Sequence, residues 1–210
     1  MIKIIHMFIL MCLGATHFSS GLKAAPAILL SANNQTPKCA TSRKLLSFLR
    51  IGNPLLHPKF EPISVLYEKY GKQYKIRWDF AFFQMILETN YLKFTGDVHL
   101  SQNNFAGLGA TGMGASGERF NTVSDGVRAH LEHLLVYAGV YVNDPVANRT
   151  RKIQSWKILD DWRRSITGPV TFGDIGLKWA PYSRNYTNSI VSISNRYYQA
   201  YCRNSKANAR

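Results

Sequence analysis

Residues 79–92, DFAFFQMILETNYL, contain no glycine and no proline, and after the opening Asp79 their only carboxylate is Glu88. A breaker-free apolar run of this length is too long for an ordinary strand, so the pattern predicts a helix wrapped by the rest of the chain. Asp79 is placed to cap its first turn. By three- and four-residue neighbours, Glu88 shares a face with Gln84, Met85, Tyr91 and Leu92, while Phe80, Phe83 and Leu87 form a second apolar face. A domain organised around such a helix has to supply other helices to cover it.

The flanking sequence supplies them. Leu45, Leu46 and Leu49, then Ile63, Leu66 and Tyr67, recur at helical spacing on either side of Gly52, Pro54 and Pro58, which predicts two short helices with a proline-rich joint. Val127, Leu131, Leu134 and Leu135 mark another helix, opened by Thr122 and Asp125 as a capping box with Asp in place of Glu. SWKILDDWRRSI and NYTNSIVSISNRYYQAYC read as two more, joined by TGPVTFGDIGLKWAPYSR. Between the central helix and Thr122 lies a Gly-, Ser- and Asn-rich loop with room for a short hairpin. The expected fold class is therefore mainly α, and 210 residues with 46% hydrophobic content are enough for one domain with its own core.

The amino terminus has a cationic start, a short apolar stretch from Met7 to Ala15 and small residues after it, as a secretory signal peptide does. Its apolar stretch is too short to span a bilayer comfortably, and Met11 spoils a lipoprotein box at Cys12. A cut after Ala24, or nearer Ala15, leaves a soluble exported protein; an uncut leader would be an anchor. The expected organisation is a signal peptide over 1–24, a strap and accessory helices over 25–77, a principal domain over 78–202 and a tail over 203–210. The segment from Ala25 to Ser42 reads as a linker or loosely held strap. Without the leader two cysteines remain, Cys39 and Cys202, and an even count in an exported chain suggests one disulfide joining the ends, with two unpaired thiols as the alternative. The formal charge is +14, and no Asp or Glu precedes Glu61. Such a balance asks for an anionic partner; export directs it to an envelope polymer or membrane surface rather than to nucleic acid.

A carboxyl group packed against Met, Tyr and Leu loses hydration in its charged form, so its pKa rises and it can donate a proton near neutral pH. The alternative for Glu88 is a helix-end glutamate with its head in water. Its surroundings bear on the choice. ILETNY, then NNFAGLG, then ERFNTVSDGVRAHLEHLL, and near the end LKWAPYSRNYTNSI together resemble the glucosaminidase domain of glycoside hydrolase family 73, the autolysin and flagellar-rod type of peptidoglycan hydrolases. The Glu-Thr pair of that family is matched by Glu88 and Thr89, and its Asn-x-Phe-Gly-like loop by Asn104, Phe105 and Gly107. The resemblance runs from about Trp78 to Ile190. It implies a lysozyme-like helical fold, a sugar groove, and Glu88 as proton donor to the glycosidic oxygen.

There are departures. The interval that carries a β-lobe in the family is only ATGMGASGE here, so the lobe is expected to be much reduced; Ala106 stands where Phe is common and Trp179 where Tyr is. A second acidic residue of some members lies on that lobe. Among the few acids of this chain, Asp79 is about 13 Å from Glu88 along a helix, outside the spacing of either glycosidase geometry. Asp97 follows a Gly in a turn and Asp125 reads as a cap, which leaves Glu118, in the Gly-rich loop, as the first candidate for a second catalytic carboxylate. The other expectation is that none completes the pair, the substrate's acetamido group or its own hydroxyl doing the work instead.

For substrate binding, Tyr91, Phe105, Trp179, Tyr182 and Tyr186 offer flat faces for sugar rings, with core packing the alternative for each; Tyr182 and Tyr186, in a polar stretch, are the ones expected to be exposed. Asn104 and backbone amides of the loop around Gly107 would take hydroxyl and acetamido groups. His130 and His133 flank Leu131 without a matching acid constellation, so no metal site is expected, and no cofactor. GATGMGASG lacks the Lys-Ser/Thr ending of a phosphate loop. The expected function is an exported hydrolase of peptidoglycan glycan strands, periplasmic or secreted, with a lytic transglycosylase and a non-catalytic wall-binding protein as alternatives and nucleic acid not expected as a partner.

Overall fold

A computed structural model of the chain describes residues 25–110, 114–115, 117–181 and 183–202. The expected signal peptide over 1–24, the tail over 203–210 and Tyr182 lie outside them. The described residues form eight α-helices: α1 (Ser42–Gly52), α2 (Ile63–Gln73), α3 (Trp78–Thr89), α4 (Val123–Tyr137), α5 (Asn148–Gln154), α6 (Lys157–Arg164), α7 (Gly176–Trp179) and α8 (Tyr186–Tyr201). Extended chain among them makes isolated bridges, Ala27 with Thr171 and Leu29 with Ile76, rather than strands. The fold is mainly helical, consistent with a lysozyme-like domain.

The apolar run is the hub. Every residue of α3 from Trp78 to Ile86 is buried, and the helix is packed by α1, α2 and α8. Phe83 meets Phe48 of α1 edge-on and the rings of Tyr197 and Tyr198 of α8, so the aromatic residues of three helices interlock around it. Full burial forces a different role on Asp79 than the expected cap. Its carboxylate accepts two hydrogen bonds from the Arg77 guanidinium, at 3.0 and 2.9 Å, and a third from Tyr198. An ion pair this enclosed needs those donors, because an unpaired charge inside would be costly. Thr122 does cap α4, accepting from the Asp125 amide at 3.0 Å.

The segment expected to be a loose strap is pinned. Ile28 is fully buried, and its backbone donates to Val170 O at 2.9 Å and accepts from Arg77 N at 2.8 Å. Further on, Cys39 is disulfide-bonded to Cys202 just past α8, a closure over 163 residues. The strap therefore ties the start of α3 to the last helix and to the loop before α7. Basic NRTRKIQ, not read as a helix from sequence, forms α5.

Candidate active site

Helix α3 ends one residue after Glu88, and the left-handed run Asn90, Tyr91, Leu92 then turns the chain away. The same turn brings the loop after Leu100 back across the helix end. Gly126 on α4 permits this approach: a Cβ there would lie 1.8 Å from Asn103 O. The loop shapes itself around Asn104, whose amide donates to Leu108 O and Glu118 O at 2.9 and 3.0 Å while its oxygen accepts from Leu108 N at 2.9 Å. That wrapping sets Gly107 at φ +62, where the absence of a side chain matters, and places it so that a Cβ would be 3.5 Å from Glu88 Oε2.

On its other side Glu88 meets α8 and α7. The Tyr186 hydroxyl donates to Oε1, and the Trp179 indole lies close enough to favour the charged form of the same carboxyl. The residue is half-buried and its carboxyl is enclosed, and burial raises its pKa from 4.5 to about 7 against Tyr186 and Trp179, which favour the charged form. Trp179 packs on His133, Tyr137 and His130 at 5.2, 5.5 and 5.7 Å between ring centres. With Gly107 it lines a small cleft to which Arg149 and Lys178 also contribute. Glu88 itself is not part of that lining, but its carboxyl stands next to Gly107 and Trp179, which are, and a group that exchanges its proton near neutral pH in that position can act as an acid toward a polar ligand held there.

Of the residues expected at this site, Gly107 and Trp179 stand beside Glu88, and several others do not serve as expected. Phe105 is fully buried, packed edge-on to Phe60 at 5.8 Å, and is core rather than a sugar platform. Asn104 is buried and its hydrogen bonds are spent on its own loop. Tyr186, expected to be exposed, is buried because the first turn of α8 packs toward α3; its hydroxyl serves the carboxyl instead. Tyr91 fails for a different reason. The helix has ended before it, so the face-sharing argument no longer applies, and its ring lies on Gly52 with its hydroxyl bonded to Arg196 at 2.8 Å. There it borders a separate open groove of about 410 Å³ between α3 and α8. Glu118, the first candidate for a second acid, accepts from Asn148 N and Arg149 N at 2.8 and 2.6 Å and so holds the start of α5 with both oxygens.

Sequence reasoning missed three participants. Gln84, one turn before Glu88, donates to the Tyr186 hydroxyl at 2.9 Å; His130 meets Gln84 at 3.1 Å; Tyr67 meets His130 at 2.8 Å. The available signal was Gln84 itself, an amide inside an otherwise apolar helix and on the face of Glu88. His133 is engaged as well, with Nδ1 2.8 Å from Thr150 Oγ1, and burial pushes both histidines down to about 3, so they stay neutral at working pH.

The sequence model of the family described as mannosyl-glycoprotein endo-beta-N-acetylglucosaminidase matches residues 64–199. The chain belongs to this glucosaminidase family, glycoside hydrolase family 73. It is also similar to an uncharacterized protein of Borreliella burgdorferi, 43% identical over 63 residues, which are 30% of this chain and 31% of that protein. The match thus spans under a third of that relative's length. No solved structure matches the chain.

Proposed function

We propose that the protein is an exported endo-β-N-acetylglucosaminidase of peptidoglycan in which Glu88 is the general acid. The observation that carries this reading is the enclosed Glu88 carboxyl, raised to about 7 and set against Gly107 and Trp179 in a chain of the glucosaminidase family. In the reaction, Glu88 gives its proton to the glycosidic oxygen as the C1–O bond breaks, and the leaving sugar departs as an alcohol. Positive charge develops at C1, and the substrate's acetamido oxygen closes on it to form a bicyclic oxazolinium ion. Water then opens that ring at C1 while the Glu88 carboxylate takes its proton, which restores the acid.

Glu118's engagement with α5 supports a route that needs no second protein carboxylate. The same observation favours one other reading, a lytic transglycosylase, in which a hydroxyl of the substrate attacks C1 intramolecularly. Mass spectrometry of the fragments separates the two: reducing N-acetylglucosamine ends come from the first reaction and anhydro ends from the second. Digestion of purified sacculi by the wild type and by Glu88→Gln tests the acid. Release of soluble fragments by the wild type and loss of that release in the variant are expected; equal release overturns the assignment, and binding without release by the wild type reduces the protein to a wall-binding one.

Support for export comes from the Cys39–Cys202 disulfide, which persists in oxidising compartments, and from the wall polymer as the family's substrate. No helix among the described residues is long and apolar enough to cross a membrane. The formal charge, +14 for the full chain and +12 once Lys3 and Lys23 leave with a leader, supports retention on an anionic wall.

A further inference from the structure

Glu88 stands at one end of a buried hydrogen-bond chain that crosses four helices: Tyr67 on α2, His130 on α4, Gln84 on α3, Tyr186 on α8, and Glu88 back on α3. Each link constrains the next. Gln84 turns its Nε2 to the Tyr186 hydroxyl and its Oε1 to His130. An oxygen facing a ring nitrogen requires a proton on that nitrogen, so His130 carries hydrogen on Nε2, and a neutral ring then accepts at Nδ1. Tyr67 faces Nδ1 at 2.8 Å and donates to it. At the other end, the Tyr186 oxygen already accepts from Gln84, so its own proton goes to Glu88 Oε1.

All four donors therefore point the same way, and the opposite order is disfavoured at both ends. Reversal would turn the Gln84 amide over, place hydrogen on His130 Nδ1 against the Tyr67 oxygen, and take the Tyr186 proton from the carboxylate. The Tyr67 proton, in a fully buried ring, would also lose its acceptor. With Oε1 held as an acceptor, the transferable proton of Glu88 resides on Oε2, the oxygen that neighbours Gly107. We propose that Tyr67 and His130 are positioning residues of the active site: by fixing the tautomer and the Gln84 amide they hold the Tyr186 proton on Oε1 and direct the acidic proton of Glu88 to the cleft side. The inference rests on the reading of Glu88 as the acid. The titratable groups facing His130 are Tyr67 on α2 and His133 on its own helix, and Glu88 lies near enough for its charge to oppose ionisation of both Tyr67 and Tyr186.

Two measurements test it. In the ¹⁵N-labelled wild type, long-range proton–nitrogen correlation is expected to show His130 protonated at Nε2 and bare at Nδ1; the reverse tautomer overturns the proposal with no variant needed. Second, the Glu88 carboxyl is titrated by carbon-13 NMR in the wild type, Tyr186→Phe and Tyr67→Phe. Losing a donor to the charged form raises the midpoint by about one pH unit in Tyr186→Phe. Tyr67→Phe, which touches no part of Glu88, is expected to raise it in the same direction and to move the alkaline limb of kcat on sacculi with it. A Tyr67→Phe midpoint equal to wild type, with Tyr186→Phe shifted, limits the effect to Tyr186 and refutes the chain. Should Glu88→Gln retain full activity, the acid assignment falls, and the two NMR readouts still decide the hydrogen-bond chain by themselves.

Discussion

Glu88→Gln is expected to make the protein more stable above pH 7 while abolishing its activity. The Glu88 carboxyl is raised by burial from 4.5 to about 7, so the folded state holds that proton more tightly than the unfolded chain does. Its contribution to stability is complete below the unfolded value of 4.5, declines as pH climbs, and is gone above the folded value of about 7. At about 1.4 kcal/mol per pH unit, the ionised form costs the fold up to about 3 kcal/mol at pH 8. The neutral amide of Gln escapes that cost and still presents an oxygen to Tyr186. Urea unfolding of both proteins at pH 4.5 and pH 8 measures it: the two curves lie close together at the lower pH, and the variant's midpoint moves above the wild type's at the higher. Other titrating groups are common to both proteins and cancel in the difference. A stability gap that is the same at both pH values refutes the buried-acid reasoning, whatever happens to activity; turnover on sacculi is expected to fall by about 10²-fold or more.

Glu118→Gln should keep most turnover and cost about 1–2 kcal/mol, because the side chain holds two amides at the start of α5; a loss of activity with unchanged stability would return it to the chemistry. Asp79→Asn leaves Arg77 without its buried counter-charge and is expected to cost about 3–5 kcal/mol in denaturant unfolding; a cost under 1 kcal/mol would show the pair to be dispensable. Reduction of Cys39–Cys202 releases a closure of 163 residues and should lower stability by up to about 5 kcal/mol, read as a fall in Tm under reductant that the double Ser variant does not show.

The helical class, the central helix and the Thr122 cap were legible because each depends on residues a few positions apart. The position of Glu88 on the face of Gln84 was legible for the same reason. Tyr91 marks where that logic stops: three residues past Glu88, it would share the face only if the helix continued, and the left-handed turn at Asn90 sends it elsewhere. Tyr186 and Phe105 show a second limit. A polar stretch suggested exposure for Tyr186, and a sugar platform was one of two readings of Phe105, but burial is decided by what packs on a ring: Tyr186 faces Gln84 and Glu88 of α3, and Phe105 lies against Phe60 and Phe94.

Local order alone therefore settled that a breaker-free apolar segment would be a wrapped helix carrying a carboxylate near its end, since helical spacing and hydrophobicity act within one or two turns. Whether that carboxylate would be enclosed, which oxygen would face the cleft, and whether Glu118 would be free were questions for the folded molecule. Their answers hang on partners 98 residues away in Tyr186 and 30 residues away in Asn148. Desolvation and hydrogen bonding act over a few ångströms, and only tertiary packing, α8 against α3 and the loop against the start of α5, brings such distant groups within that range.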